Sequence, residues 1–188
     1  MSRVMKATLS TKSIDSLIKE LKSYKAGLQT KCHEFVVRLA ECGISAAYVS
    51  VGEEFGKYIT FRSVDTFFNG RAVAIIEGSS PSLWRFWLGE DGRVKSAEIN
   101  PLLMEEFGSG SKASDASGKE NAEIAKKLGM GRGSFPDQTH AFQDEWWWKD
   151  LDGEWHSSSG TEPSMPMFKA SLEMRVHIKR IAREVFGS

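Results

Sequence analysis

The sequence predicts an α+β fold: a long N-terminal helix, a small antiparallel sheet of hairpins, a flexible central loop and a C-terminal amphipathic helix. Three observations predict it. Apolar residues follow the 3-and-4 spacing of a helix over residues 13–40 and again over 166–186. Short β-like runs between these helices are punctuated by Asn-Gly and Asp-Gly pairs, and residues 108–140 lose apolar periodicity altogether.

Within 13–40 the apolar positions are Ile14, Leu17, Ile18, Leu21, Leu28, Cys32, Phe35, Val36, Leu39 and Ala40. Ser13 is the expected N-cap, with Asp15 in the first turn and Gly43 as the stop signal. A helix of this length, about 40 Å at 1.5 Å per residue, outruns a single-domain core, so part of its apolar stripe is expected to face another subunit. β-like segments follow at 46–51, 58–64 and 71–76, and Asn69-Gly70 suits a type I′ turn joining the last two. Residues 83–88 and 93–99 flank Gly89-Glu90-Asp91-Gly92 as a second hairpin. Its first arm carries Trp84, Phe86 and Trp87, more aromatic surface than one strand usually shows to water.

Residues 102–107 read as a further strand entering Gly108. From there to Lys119 the chain is Gly, Ser, Ala, Lys and Asp, the chemistry of a flexible loop. A short helix is predicted at 121–128, before Gly129-Met130-Gly131-Arg132-Gly133. A third hairpin pairs 145–149 with 154–157 around Asp150-Leu151-Asp152-Gly153, and the final helix spans 166–186, with Met174, Ile178, Ile181, Ala182 and Val185 on one side. There is no internal repeat.

A chain of 188 residues suits one domain, 1–188, carrying a flexible insertion at about 108–140. Hydrophobic and charged contents of 40% and 27% argue against a disordered or fibrous chain. Lys+Arg and Asp+Glu balance at 25 each, so there is no overall field to draw the protein onto nucleic acid or an anionic membrane. Cys32 and Cys42 lie ten residues apart on one expected helix, about 15 Å of rise, which places them beyond disulfide reach and predicts two reduced thiols. No apolar run of signal-peptide length follows Met1-Ser2-Arg3, and no stretch approaches the roughly 20 apolar residues of a membrane span. These features predict a cytosolic, unprocessed chain.

His33, His140, His156 and His177 are scattered, and none stands in an H-x-x-x-H or cysteine-pair arrangement, so no metal site is predicted. Cys32 and His33, as helix neighbours, point about 100° apart and do not form a nucleophile–base pair; Cys32 is read as core. Gly108-Ser109-Gly110 and Gly129-Met130-Gly131-Arg132-Gly133 match neither the dinucleotide fingerprint nor the P-loop. Glu105 and Glu106, on a strand, would alternate faces and fail as a carboxylate dyad. Trp146 and Trp148 share one face of their strand and Trp147 the other, an arrangement expected to serve core and protein interface more than ligand stacking. Lys169, Arg175, Lys179, Arg180 and Arg183 form a basic helix face, read as solvated.

Several motifs occur in a fixed order. Leu102-Leu103-Met104 leads into Glu106-Phe107-Gly108-Ser109-Gly110. The Trp146-Trp147-Trp148 segment follows with its Asp152-Gly153 turn, then Gly160-Thr161-Glu162-Pro163-Ser164-Met165-Pro166-Met167 and a helix ending Ile181-Ala182-Arg183-Glu184-Val185-Phe186. This ordered set resembles the tail-completion (neck, or minor tail-component) proteins of long-tailed bacteriophages and prophages. The segment at 80–101, with its aromatic residues, and the long central loop depart from the family pattern.

The resemblance implies a non-enzymatic structural protein of the head-to-tail joint. Such a protein assembles as a homo-oligomeric ring that contacts connector or stopper proteins and tail-tube or terminator proteins. It would be made in the bacterial cytoplasm and reside in the virion, meeting no membrane, and DNA only by passage through the ring. On this reading there are no catalytic, cofactor-binding or metal-binding residues, and no cofactor. The expected interface residues are Trp84, Phe86, Trp87, Glu106, Phe107, Trp146 and Trp148, with the exposed part of the 13–40 helix as the second half of a heterologous contact. The competing readings are a cell-wall hydrolase acting through Glu105, Glu106, Asp144 and Glu145 or through His140 and His156, and a small carbohydrate- or nucleic-acid-binding module using the Trp cluster.

Overall fold

Helix α1 (Thr11–Gly56) and the last helix, α4 (Pro166–Phe186), pack side by side and form the frame of the molecule. The computed structural model describes residues 10–66, 71–113, 118–128, 130 and 143–187. The two helices run antiparallel: the Phe35 and Phe186 rings meet at 5.8 Å, Arg38 pairs with Glu184, and Met174 lies over Gly43. Close approach is possible because α1 presents small residues here. Ala40, Gly43 and Ala47 are all buried, and a Cβ on Gly43 would come 2.8 Å from Ile76 Cδ1 and 3.0 Å from Met174 Cγ.

Strands β1 (Ile59–Thr66) and β2 (Arg71–Gly78) form an antiparallel hairpin against α1, in the register Ile59↔Gly78 and Phe61↔Ile76. Ala47, Ile59, Leu102 and Ala170 make the main core, lined by Ile44, Phe55, Tyr58, Ile76 and Met167. A second sheet has the order β4-β3-β5-β6 and is antiparallel throughout. It joins the hairpin β3 (Leu83–Leu88) and β4 (Val94–Ile99) to the hairpin β5 (Trp146–Lys149) and β6 (Trp155–Ser158) at Leu88↔Lys149. Between the hairpins lie α2 (Pro101–Phe107), a short 3-10 turn at Gly110–Lys112, and α3 (Gly118–Lys127). Phe107, Ala125 and Met130 form a smaller core there.

The α+β architecture matches the sequence expectation, but several boundaries move. The first helix does not stop at Gly43; it continues through residues 46–51, expected to be a strand, and the backbone leaves the helical region only at Gly52 (φ 72°). Packing decides this, because Ala47 is a fully buried core contact, and tertiary burial overrides the β preference of Tyr48, Val49 and Val51. Its N-cap is Ser10, whose Oγ accepts from the Ser13 N–H at 3.3 Å, and not Ser13. Residues 102–107 are helical as well. Asn100 Oδ1 accepts from the Leu103 N–H at 3.1 Å and Pro101 occupies the first turn, a capping pattern that sets a helix start. An 18-residue window of α1 reaches a mean hydropathy of 1.3, so the helix has the length and apolarity of a membrane span, contrary to expectation. Within the insertion, α3, the 3-10 turn and buried Met130 are ordered structure. The Asn69-Gly70 turn, His140 and all of 131–142 lie outside the described residues.

Candidate functional site

The motif residues at 105–109 and 160–168 are brought together as a clasp. Glu106 is buried at 6% exposure. Its carboxylate accepts from the Met167 N–H at 2.7 Å and the Phe168 N–H at 3.1 Å, an acceptor for amides of the first turn of α4 that have no partner within the helix. The Glu105 carbonyl accepts from the Ser164 and Met165 N–H groups at 2.8 and 3.0 Å, and the Ser164 hydroxyl donates to Glu105 Oε2 at 2.7 Å. These bonds fix Met165 in the left-handed region, at φ 53°. The Ser109 N–H donates to the Thr161 carbonyl, and the Thr161 N–H returns a bond to Ser109 Oγ, both at 2.9 Å. A Cβ on Gly160 (φ 80°) would sit 2.1 Å from the Ser109 carbonyl oxygen, so this glycine exists for close backbone approach.

The clasp corrects two expected interface residues. Glu106 and Phe107 are both buried in the chain, on a helix instead of a strand, and they order the fold without presenting a surface. Glu105 and Glu106 are each committed to the clasp, which removes the proposed carboxylate pair from use against a substrate.

The exposed surface lies on the second sheet. Opposed residues of an antiparallel pair share a face, and so do residues two apart on one strand. The registers Phe86↔Ser96, Leu88↔Lys149, Lys149↔Trp155 and Trp147↔Ser157 therefore set Trp84, Phe86, Leu88, Trp147 and Trp155 on one face. Their exposures are 58% for Trp84, 50% for Phe86, 59% for Trp147 and 64% for Trp155. Trp84 and Phe86 stack with centroids 6.5 Å apart, and the Lys149 ammonium sits 5.8 Å from the centroid of the Trp155 ring. Trp87, Trp146 and Trp148 point to the other face and are half-buried. Trp148 stacks on His156 at 4.7 Å.

Of the expected interface residues, Trp84 and Phe86 are exposed, while in the Trp triplet the exposed member is Trp147. Alternation in the sequence separates Trp147 from its neighbours, but only the cross-strand register identifies which side faces water. Trp155, outside the expected set, completes the face. Rings a little over half exposed leave on the order of 400 Å² of aromatic surface in water, within the range of the largest apolar patch on an ordinary monomer, which is often functional.

A second exposed apolar surface lies on α1. N-terminal to the Phe35–Phe186 contact, Ile14, Ile18, Leu21, Tyr24 and Leu28 are 43–53% exposed on α1. Cys32 sits partway along it and is half-buried.

Two groupings of titratable side chains stand among the described residues. In the β5–β6 turn, Asp150 Oδ2 contacts His156 Nε2 at 2.8 Å while Oδ1 accepts from the Glu154 N–H at 2.8 Å. The His156 hydrogen bond, with the Glu154 N–H next, holds the Asp150 carboxyl below the usual carboxylate range. These bonds shape the turn. Between α1 and α4, Cys42, Glu173 and His177 converge, and burial, reinforced by Glu173 and opposed by Arg180, pushes the Cys42 thiol up. Arg175, Lys179, Arg180 and Arg183 are exposed on α4; Arg180 is committed to Glu184 at 2.9 Å.

Comparison with protein-family models, with curated proteins and with solved structures returned no match.

Proposed function

We propose that the chain is a non-enzymatic structural protein of a phage or prophage head–tail joint, acting by ring assembly and by contact with connector and tail proteins. The observation that carries this reading is the aromatic face of Trp84, Phe86, Trp147 and Trp155, turned to water on a sheet that lies apart from the main core. A ring needs two different patches that meet between neighbours. The aromatic face and the apolar stripe of α1 at Ile14, Ile18, Leu21 and Leu28 provide two. The clasp supports the same reading, since it gives the ordered motifs of the tail-completion resemblance a structural purpose: they lock α2 to the start of α4.

Sizing with light scattering tests the pairing of the two patches. Trp84→Ala and Trp147→Ser are expected to lower the assembled mass while leaving the circular dichroism spectrum unchanged, as is Leu21→Lys on the opposing patch. Assembly unaffected by all three would sink the reading. The exposed Trp face also favours a second reading, stacking of sugar rings or bases. Quenching of Trp fluorescence by an oligosaccharide or oligonucleotide, lost in Trp147→Ser, would select that reading instead.

A further inference from the structure

Cys42 on α1 and Glu173 and His177 on α4 place a thiol sulfur, a carboxylate oxygen and an imidazole nitrogen within 4.8 Å of one another. Glu173 and His177 are four residues apart and so share one face of α4, with His177 Nε2 at 2.7 Å from Glu173 Oε1. The next residue of α1, Gly43, leaves room for Met174 to come close, and that approach sets Cys42 beside the α4 pair. All three side chains are half-buried. Cys42 and Glu173 also line an open cleft of about 510 Å³, with Ser45, Val49, Lys169 and Leu172, so solvent and ions can reach the group.

We propose that Cys42, Glu173 and His177 form a binding site for a divalent metal ion of the zinc class, with water as the fourth ligand. The donor set argues for this metal. Zinc accepts thiolate, imidazole and carboxylate in a tetrahedral shell, whereas magnesium and calcium require oxygen donors throughout. Ligands drawn from two helices would fasten α1 to α4 near the middle of their crossing.

Binding changes the protonation of two ligands. The Cys42 thiol releases its proton to solvent and coordinates as thiolate. Arg180 Nε now donates to His177 Nδ1 at 3.3 Å, which leaves the imidazole proton on Nε2. Coordination through Nε2 moves that proton to Nδ1, where it can no longer accept from Arg180. Arg180 is then released and remains held by Glu184 at 2.9 Å. Arg180 is therefore a competitor of the metal, and its removal should tighten binding.

The test is a titration of the reduced full-length protein with Co²⁺, followed by displacement with Zn²⁺. A thiolate-to-cobalt charge-transfer band saturating at one metal per chain, lost in Cys42→Ser and kept in Cys32→Ser, is the expected result. His177→Gln should weaken the affinity at least about tenfold, and Arg180→Gln should strengthen it. Zinc should raise the melting temperature of the wild type and not of Cys42→Ser. Glu173→Gln, which preserves volume, gives an independent check if Cys42→Ser folds poorly. Absence of the band in the wild type, or a band that depends on Cys32, would overturn the proposal.

Discussion

The Glu106 carboxylate accepts hydrogen bonds from the N–H groups of Met167 and Phe168, so the last helix is capped by a residue 61 positions earlier in the chain. Local sequence offers no substitute, because Met165 stands at the N-cap without a side-chain hydrogen bond. Glu106→Ala strands two amides beside a buried site and is expected to destabilise the fold by about 2–3 kcal/mol, a fall of roughly 5–10 °C in melting temperature. Urea unfolding at unchanged slope would measure it; a loss below about 0.5 kcal/mol would mean that water replaces the carboxylate.

Two glycines of α1 should respond with opposite sign. Gly27 has nothing within 4 Å of a Cβ position, so Gly27→Ala removes backbone freedom from the unfolded chain and should stabilise by about 0.5–1 kcal/mol. Gly43 faces Ile76 and Met174, so Gly43→Val overpacks the α1–α4 crossing and should cost about 1–3 kcal/mol. Thermal melts of the two variants check the pair, and a stabilised Gly43→Val would contradict the close packing.

Gly160→Ala should be more disruptive than either, since its Cβ would meet the Ser109 carbonyl oxygen at 2.1 Å at a positive φ. Its expected signature is local: faster amide exchange at Ser109 and Thr161, whose mutual bonds close the clasp. Unchanged exchange at both positions would show that the clasp tolerates a side chain there.

Asp150 gives the account a pH dependence. Its carboxyl is held below the usual range in the fold, so the stabilisation is present above the unfolded carboxylate value, about 3.9, and is lost as pH falls through the lower folded value. The melting-temperature gap between the wild type and Asp150→Asn should shrink as pH falls below about 4. A gap that widens in acid would reverse the sign and refute the assignment.

Much of this fold was legible in the sequence. Period and turn residues located both long helices, and the three hairpins follow the β-like runs that flank Asn-Gly and Asp-Gly pairs. The errors at 46–51 and 102–107 have specific causes. In the first, burial of Ala47 outweighs β preference; in the second, the Asn100-Pro101 cap was a readable helix start that a short apolar run obscured. The aromatic face was half legible. Alternation separates Trp147 from Trp146 and Trp148, but joining Trp147 and Trp155 to Trp84 and Phe86 requires the Leu88↔Lys149 pairing between strands 61 residues apart in sequence. Cys42, Glu173 and His177 were invisible for the same reason, since only the antiparallel packing of α1 and α4 brings them together.

The most direct test of the ring reading is the mass of the purified protein in solution, measured by light scattering across a concentration series. The account predicts a discrete species several times the 21.0 kDa chain, growing in with concentration and lost in Trp84→Ala. A strict monomer of 21.0 kDa at every concentration would contradict assembly through the aromatic face and the α1 stripe.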